Sequence, residues 1–291
     1  MESDNKPCLI SVVMAVYNSD RYKLSRAIKS ILNQSFSDFE LIICDNNSNN
    51  GTFEYLESIK DNRIVLLKND INRGQTFSLN RCLSVAKGKY IARMDDDDIS
   101  AKDRFKYQVL FLEKNPEIGI VGTGIWLIDE DIVWGEDLLV EKPVKKDLLR
   151  GVVHAHPSIM VRKEVYDLVN NYRDLEKVGY SQDYDFYMRV YAKGIKGYNI
   201  QKKLLFYNLP PNANSKRKFI TRVGEARVMY EGFRQLKLLP LGLIYVFKPI
   251  IAWLLPNKLK QKRLNVLNNS YDKGKNIYDF EELDFDYEQL F

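Results

Sequence analysis

The chain has 291 residues, of which 45% are hydrophobic and 29% are charged. A chain of this length and composition buries a full core in one large domain, or in one domain with an appendage, and is not disordered as its main state. The formal net charge of +5 is unevenly distributed, because residues 216–263 contain twelve Lys or Arg but only two acids, Glu225 and Glu231. One segment therefore carries the basic character of the chain.

Three cysteines, Cys8, Cys44 and Cys82, occur without the CxxC spacing of a metal or redox site. Two of them lie in apolar runs, where a thiol packs as a small hydrophobic group. The first residues, MESDNKP, contain no apolar core of the kind that a signal peptide has. We therefore expect a reduced, cytosolic protein with buried thiols and no export signal in this stretch.

Apolar strand-like runs alternate with amphipathic stretches from Cys8 to Met94, which is typical of β-α units on a mostly parallel sheet. The predicted strands are Leu9–Val16, Phe39–Cys44, Ile64–Leu67, Tyr90–Arg93, Ile118–Leu127 and Val152–Val161. The predicted helices are Lys23–Leu32, Thr52–Ile59, Thr76–Ala86, Lys102–Lys114 and Asp183–Lys193. The pattern predicts an α/β fold in which residues 1–127 form a nucleotide-binding half and residues 128–215 form an acceptor half.

Residues 216–291 are predicted to form a helical extension with an acidic tail. Its segment Leu236–Leu255 is mostly apolar but is interrupted by prolines, a glycine and a lysine. A straight spanning helix needs about 20 predominantly apolar residues, so this pattern favours a broken helical hairpin at a membrane interface over a span. The alternative is a terminal pair of helices packed on the domain. The tail Asp279–Phe291 is predicted to dock loosely or to stay mobile.

Four adjacent carboxylates, Asp95 to Asp98, follow the apolar strand Tyr90–Arg93. Like charges at this spacing raise each other's pKa and oppose the compact state, unless a divalent cation or solvent compensates them. Carboxylate oxygens suit Mg²⁺ or Mn²⁺, which in turn bridge phosphate oxygens. The alternative is a solvated acidic turn that caps the next helix. A position at the carboxyl end of a strand, where open α/β sheets bind ligands, favours the metal-diphosphate site.

Taken together, several segments resemble family-2 glycosyltransferases of the GT-A fold, from about Ser11 to Tyr191. The resemblance is carried, in this order, by Val12 to Asn18, Ser30 to Ser35, Leu41 to Ser48, Asn72 to Gly74, Ser78 to Asn80, Ala86 to Asp98, His156 to Ser158 and Ser181 to Asp185. Each segment alone is weak, but their order and spacing are specific. The resemblance implies a Rossmann-like, mostly parallel sheet flanked by helices and the transfer of a sugar from a nucleotide donor.

The same resemblance assigns residues to the donor. Ala15 and Tyr17 are implied to line the base pocket, Asn18 is implied among the residues that bind the nucleotide-sugar, and Asp45 is implied to hold the uracil or ribose edge. An acid at the end of the second strand can accept hydrogen bonds from a base or ribose, although it can instead cap the next helix.

The loop residues Asn72 and Gly74, with Asn80 in the helix that follows, are implied to approach the donor. A glycine there permits close contact with the backbone. An ordinary turn is the alternative for Asn72 and Gly74.

The DxD element of the family matches Asp95 and Asp97. Asp97 is implied as the direct ligand of Mn²⁺ or Mg²⁺, and Asp95 is implied nearer the ribose or sugar. Asp96 departs from the family, which often has a small residue there, so the resemblance leaves open which carboxylates bind the ion, and Asp95 is the second candidate ligand. Asp95, Asp96 and Asp97 are all implied at the nucleotide-sugar, and Asp98 is a candidate cap for the following helix. No histidine follows Asp183, so we expect phosphate oxygens and water to complete the metal's coordination.

Inversion at an anomeric carbon needs a base that deprotonates the attacking hydroxyl. Asp183 matches the second acid of the family's acidic pair and is the predicted base, while Gln182 replaces the first acid. The alternative for Asp183 is a helix cap. His156 and Gln182 are candidate acceptor contacts, and His156 could equally be a structural hydrogen bonder. We expect Arg189 to face solvent rather than the donor phosphates.

The resemblance implies an α-linked UDP-sugar donor, a β-linked product and an acceptor saccharide, which we expect on a lipid diphosphate in bacterial surface-polysaccharide assembly. The basic segment 216–263 suits an anionic membrane surface, so we predict a peripheral position at the inner face of the membrane. Prolines and apolar residues in this segment fit lipid better than nucleic acid.

Two alternatives to this function stay open. A nucleotidyltransferase would ordinarily have a glycine-rich, basic phosphate-binding loop after the first strand. Residues 15–20, which lie at that position, contain neither glycine nor a basic residue. A binding or scaffold protein that has lost catalysis is disfavoured by the presence of both Asp95–Asp98 and Asp183.

Overall fold

The computed structural model describes residues 8–174, 181–210, 219–254 and 275–280. The strands are β1 Ile10–Val16, β2 Phe39–Asp45, β3 Ile64–Lys68, β4 Tyr90–Arg93, β5 Ile99–Ser100, β6 Ile118–Asp129, β7 Ile132–Asp137, β8 Met160–Arg162, β9 Lys196–Asn208 and β10 Lys275–Asn276. The α-helices are α1 Arg21–Leu32, α2 Thr52–Ser58, α3 Gln75–Val85, α4 Arg104–Lys114, α5 Lys163–Val169, α6 Gln182–Ala192, α7 Phe219–Gln235, α8 Leu243–Val246 and α9 Lys248–Leu254.

The strands form one sheet in the order β10-β7-β6-β8-β4-β1-β2-β3, and β9 pairs with β5 and with β6. β4, β1, β2 and β3 run parallel, whereas β8 is antiparallel to both of its neighbours, β4 and β6. Val16 at the end of β1 is in register with Asp45 at the end of β2. The loops after β1, β2 and β4 therefore leave the same edge of the sheet, where open α/β folds bind ligands.

The central strand β1 is buried at every position, as expected for a parallel strand covered on both faces. Val13 belongs to a core cluster that includes side chains of α3, α5 and α6. Its neighbours Val12 and Met14 belong to a second cluster with α1 and α4. Cys44 and Cys82 are buried free thiols, which confirms that prediction, and Cys8 is partly buried.

The predicted bounds of the elements between Leu9 and Leu127 agree with the structure to within two residues at each end. The strand predicted at Val152–Val161 is wrong over most of its length. Residues His156–Ser158 form a 3-10 turn instead, and only the short β8 follows it. Pro157 has no N–H to donate to a strand, and the Ser158 N–H bonds the Ala155 carbonyl at 2.9 Å, which closes the turn.

The C-terminal helices pack on the domain. Val228, Met229 and Phe233 of α7 are buried in the same core cluster as Phe186 of α6. The segment Leu236–Leu255, for which a hairpin at a membrane interface and a packed pair of helices were the alternatives, contains α8 and α9. Its residues Leu236, Leu238 and Val246 are buried in this cluster too, while contact of the segment with a membrane stays a prediction. Within the described residues, the structure contains no helix that is both long and apolar enough to span a membrane. The division at residue 215 stays a prediction.

The tail prediction for Asp279–Phe291 lies largely outside the described residues. Of that tail, Asp279 and Phe280 are described, and the Phe280 ring packs 4.8 Å from the Trp126 ring between centroids. Just before it, β10 adds to the sheet beside β7, and Ile277 is fully buried. The last described segment is therefore docked on the sheet.

Candidate active site

Two cavities adjoin at the carboxyl edge of β1, β2 and β4. The first, which we call the Tyr17 cavity, has a volume of about 400 Å³ and is lined by Ala15, Val16, Tyr17, Asn46, Asn72, Gly74, Gln75 and Asp96. The second, the Asp183 cavity, has a volume of about 510 Å³ and includes Asp95, His156, Gln182 and Asp183 in its lining. Gln75 lines both cavities, so they meet at the start of α3.

The loop after β1 is tied to the loop after β2. Asn18 has a positive φ of 47°, and its N–H donates to Ser48 Oγ at 2.9 Å. Its side-chain oxygen accepts from the Asn49 N–H at 2.9 Å. Asn18 therefore shapes the rim of the Tyr17 cavity, whose wall is the half-exposed ring of Tyr17.

Asp45 is fully buried at the end of β2. Its Oδ2 accepts from the Ser48 N–H at 3.0 Å, whereas its Oδ1 has no hydrogen-bond partner among the described residues. The alternative that Asp45 caps the next helix is wrong, because Gly51 holds that position of α2. A buried carboxylate oxygen without a partner costs free energy, so it suits a ligand N–H or O–H.

The next loop is held by amide side chains. Asn46 donates to Asn72 Oδ1 at 2.7 Å and accepts from the Arg73 N–H at 3.0 Å. Gly74 has a φ of 82° and directly precedes α3, a backbone conformation that glycine adopts without strain. Asn72 and Gly74 thus line the Tyr17 cavity, and their approach to the donor stays a prediction.

Asn80 does not join this group. Its side chain donates to the Tyr172 carbonyl at 2.8 Å and accepts from the Tyr172 N–H at 3.1 Å. Both of its polar groups are occupied by main chain, and Asn80 is not in the lining of either cavity. The structure therefore gives Asn80 the role of holding the Tyr172 loop, in place of the predicted approach to the donor.

The four carboxylates after β4 have different partners. Asp95 forms an ion pair with the buried Arg93 and accepts from Gln75 Nε2 at 3.3 Å. Asp96 accepts from the Ser19 hydroxyl. Asp97 accepts from Asn208 Nδ2 at 2.8 Å.

Asp98 is fully buried and accepts from the Asn208 N–H at 2.8 Å. The predicted cap role of Asp98 is wrong, because the residue before α4 is Asp103. Burial, which also excludes the solvated-turn alternative for Asp98, raises the pKa of this carboxyl well above its usual range, and the neighbouring Asp95 and Asp97 add to the shift.

Burial also raises the pKa of Asp96 to about 6 and raises the pKa of Asp97. A divalent cation would relieve this excess of negative charge, so the residues fit Mn²⁺ or Mg²⁺. Within the described residues no group of three or more His, Cys, Asp or Glu side chains is placed to hold a metal ion. The arrangement fits an ion that shares its coordination with phosphate oxygens and water rather than a closed protein site.

Asp183 lies in the first turn of α6, where its Oδ1 accepts from the Tyr184 N–H at 2.7 Å. The N-cap position belongs to Ser181. Gln182 donates to Gln75 Oε1 at 2.9 Å, and Gln75 in turn contacts Asp95. The start of α6 is thereby tied to the carboxylate cluster.

His156 lines the Asp183 cavity and also has a structural contact, a hydrogen bond of 2.8 Å between its Nε2 and the Tyr172 hydroxyl. Burial lowers the pKa of His156 well below its usual range, so the ring is neutral at physiological pH. The expectation for Arg189 is wrong. Its guanidinium is buried, pairs with Asp185 at 2.7 Å and donates to the Asn171 carbonyl at 2.9 Å.

Several residues of the site escaped the sequence analysis. Gln75 directly follows the Asn72 to Gly74 segment, and its position next to this predicted donor loop could have indicated that it belongs to the site. Asn208 lies far along the chain from the carboxylates that it contacts and has no local signal. The Asp183 cavity is completed by Arg150 and by C-terminal residues, among them Arg222 and Lys248.

Residues 11–167 match the family model described as Glycosyl transferase family 2. The chain belongs to this family. This glycosyltransferase is 36% identical over 263 residues to the putative glycosyltransferase EpsE of Bacillus subtilis, covering 88% of this chain and 94% of that one. It is 34% identical to the O-antigen biosynthesis glycosyltransferase WbnJ of Escherichia coli, covering 72% and 82% of the two chains.

A third relative, 27% identical, is named UDP-Glc:alpha-D-GlcNAc-diphosphoundecaprenol beta-1,3-glucosyltransferase WfaP of Escherichia coli, with 76% of this chain and 85% of that one covered. The crystal structure of S. aureus TarS 1-349 in complex with UDP-GlcNAc matches with a TM-score of 0.66 and 15% identity, covering 82% of this chain and 73% of that one. Together with the family match, this likeness confirms the predicted GT-A fold.

Replacing Asp96 by Asn tests whether the buried negative charge of the carboxylate cluster destabilises the folded protein. The pKa of Asp96 is about 6 in the folded protein, above the ordinary value of 3.8 for an aspartate, so the folded state binds the carboxyl proton of Asp96 more tightly than the unfolded state does. Asp96 therefore lowers stability at neutral pH, and the penalty disappears as the pH falls from about 6 to below 4. We expect Asp96→Asn to raise the free energy of unfolding by about 1–3 kcal/mol at about pH 7.5 with chelator, and by about a third of that near pH 4.5.

Urea titrations of both proteins at the two pH values measure this difference. If Asp96→Asn raised the free energy of unfolding by the same amount at both pH values, the folded structure would not disfavour the ionised form of Asp96.

Proposed function

We propose that this family-2 glycosyltransferase is a metal-dependent, inverting enzyme that moves a sugar from a UDP-sugar to an acceptor hydroxyl and forms a β-glycosidic bond. The observation that carries the proposal is the meeting of the two cavities at Gln75. There the predicted base, Asp183, shares one cavity with Asp95 of the carboxylate cluster, while Asp96 lines the other. A donor in the Tyr17 cavity and an acceptor in the Asp183 cavity would thus lie next to each other at Gln75.

The Tyr17 cavity is proposed to hold the nucleotide of the donor. Tyr17 offers a ring face for a base. Asp45 is not in the lining of either cavity but directly precedes the lining residue Asn46, and its buried Oδ1, which has no partner among the described residues, could accept from a uracil or ribose group that reaches it. The TarS structure with UDP-GlcNAc and the name of WfaP, which cites UDP-Glc, support a UDP-sugar.

Asp97 and Asp95 are proposed to hold Mn²⁺ or Mg²⁺, which when bound would offset the charge that develops on the leaving diphosphate. The raised pKa of Asp97 is consistent with a site that is completed by positive charge. Asn208 and Arg93 orient the two carboxylates through the contacts described above.

Asp183 is proposed to take the proton of the acceptor hydroxyl. The hydroxyl oxygen forms a bond to the anomeric carbon while the bond from that carbon to the UDP oxygen breaks, and UDP leaves from the opposite face. Attack opposite the leaving group inverts the configuration, so an α-linked donor yields a β-linked product. Gln182 and His156, which line the same cavity, are candidate contacts for the acceptor.

The acceptor is proposed to be a lipid-linked saccharide in surface-polysaccharide assembly, bound at the inner face of the membrane. WfaP is named for a diphosphoundecaprenol acceptor, and WbnJ for O-antigen biosynthesis. α8 and α9 expose Leu243, Ile244, Ile251 and Trp253, and Phe247 is exposed between the two helices. Apolar side chains within the basic segment 216–263 suit an anionic lipid surface.

Replacing Asp183 by Asn keeps the size of the side chain but removes the base. We expect the turnover number for transfer to fall by about a hundredfold to ten-thousandfold, because general bases contribute on that order. The dissociation constant for UDP should stay within about twofold, since the Tyr17 cavity is untouched. Transfer assays with UDP-, GDP- and dTDP-sugars measure the turnover number. Calorimetric titration with UDP measures the dissociation constant.

Asp174→Asn is the matched control, because this exposed carboxylate does not line the Asp183 cavity. Unchanged turnover in Asp183→Asn would remove this residue from the mechanism. UDP binding by the wild type without any transfer would favour the scaffold alternative. Release of pyrophosphate from a nucleoside triphosphate in place of UDP from a UDP-sugar would favour a nucleotidyltransferase.

Removal of divalent metal should stop transfer. We expect chelator to reduce the rate by at least about a hundredfold and added Mn²⁺ or Mg²⁺ to restore it, because the leaving diphosphate then loses its charge compensation. Asp97→Asn should show the same loss and should not recover at saturating metal. Full activity of the chelated wild type would contradict the metal dependence.

Membrane binding is tested with vesicles of phosphatidylglycerol and of phosphatidylcholine. We expect stronger binding to the anionic vesicles, weakened by salt, and about a tenfold loss of binding in Ile244→Asp because a charge replaces an exposed apolar contact. Leu110→Asp, at a half-exposed position of α4, is the matched control. Equal binding of wild type and Ile244→Asp would place the contact elsewhere.

A further inference from the structure

The lining of the Asp183 cavity comes from two parts of the chain with opposite charge. Asp95 and Asp183 supply carboxylates beside Gln75 and Gln182. Besides Arg93, which pairs with Asp95, the lining contains three cations, Arg150, Arg222 and Lys248, with Glu225 as a carboxylate among them. These cations follow the short 3-10 turn Asp147–Leu149 or belong to α7 and α9, and α7 and α9 lie beyond the segment that matches the family model.

Arg222 is only partly satisfied by the protein. Its Nη1 pairs with Glu225 Oε2 at 2.9 Å, and its side chain is 22% exposed. Its Nε is buried and has no hydrogen-bond partner among the described residues. A guanidinium carries five N–H donors, so Arg222 retains capacity for an oxyanion.

Lys248 and Arg150 are held together without a carboxylate between them. Lys248 Nζ donates to the Arg150 carbonyl at 3.1 Å. An ammonium has three donors, so this contact leaves two for a ligand. Across the described part of the chain, neither Lys248 nor Arg150 forms an ion pair with an acid.

The surroundings of Lys248 indicate what kind of anion would bind. Phe247 directly before it is 55% exposed, and Ile251 one turn later is 54% exposed. Neither residue is in the lining of the cavity, so an apolar chain attached to an anionic group at Lys248 would meet them outside it. A donor diphosphate has no such chain, and in the proposed function its charge would be offset by a metal ion held at the carboxylate cluster.

We propose that Arg150, Arg222 and Lys248 form a subsite for the phosphate or diphosphate ester of the acceptor. The inference rests on the proposed function and names what holds the charged part of its acceptor. The subsite anchors the acceptor at its ester, so that the sugar hydroxyl extends toward Asp183. It acts on binding and leaves the chemical step to the residues beside Gln75.

The test compares one saccharide linked through a diphosphate to an undecyl chain with the same saccharide linked as a neutral undecyl ether. We expect the wild type to have a KM about tenfold or more lower for the diphosphate acceptor. Arg222→Gln, Lys248→Gln and Arg150→Gln should each raise that KM about 5- to 30-fold, because a charge-assisted contact is lost. The turnover number, the KM for the donor and the KM for the neutral ether should change less than about twofold.

Lys114→Gln, on the exposed end of α4, is the matched control for the loss of one positive charge. Lys248→Arg should recover most of the binding, which separates lost charge from lost folding. A wild type that does not distinguish the two acceptors, or variants that raise both acceptor KM values equally, would overturn the subsite. A rise in the donor KM instead would assign the three cations to the donor diphosphate and overturn it as well.

Hydrolysis of the UDP-sugar without acceptor is measured in parallel. Metal-dependent hydrolysis by wild type and variants alike, with no discrimination between the acceptors, rejects the subsite alone. No hydrolysis and no transfer by the wild type rejects the proposed function, and the subsite with it.

Discussion

Negative charge at the end of a buried strand is the constraint on which this site depends. Asp95 to Asp98 follow β4, and burial raises the pKa of three of them, Asp96, Asp97 and Asp98. Each carboxylate has a polar partner: Arg93 pairs with Asp95, Ser19 donates to Asp96, and Asn208 donates to both Asp97 and Asp98. These contacts leave part of the negative charge uncompensated. A divalent cation that also binds a diphosphate would compensate it.

Gln75 connects the carboxylate cluster to the part of the site that contains Asp183. It contacts Asp95 on one side and Gln182 on the other, so that the first turn of α6 is positioned relative to the end of β4. Asp183 sits in that turn. The packing of α6 in the core positions the proposed base, and the contacts of Gln75 connect it to the proposed metal site.

α6 also contains a buried carboxylate that pairs with two arginines. Asp185 is 1% exposed and pairs with both Arg173 and Arg189. This pairing explains why the solvent position expected for Arg189 was wrong, since a sequence gives no sign that an arginine four residues after an acid folds inward. Asn80 is a similar case, because its main-chain partner Tyr172 lies 92 residues away.

The sequence by itself determined the parallel strands β1 to β4, the helices between them and the position of the carboxylates at a strand end. Those features depend on hydrophobic periodicity and on residues close together in the chain, so they can be read locally. Only the tertiary structure decided which carboxylate meets which partner and how the Asp183 cavity is completed. Asn208 and Asp98 are 110 residues apart, and Arg222 and Lys248 come from helices near the C-terminus. Contacts of this kind depend on how packed elements meet in space, which no local pattern encodes.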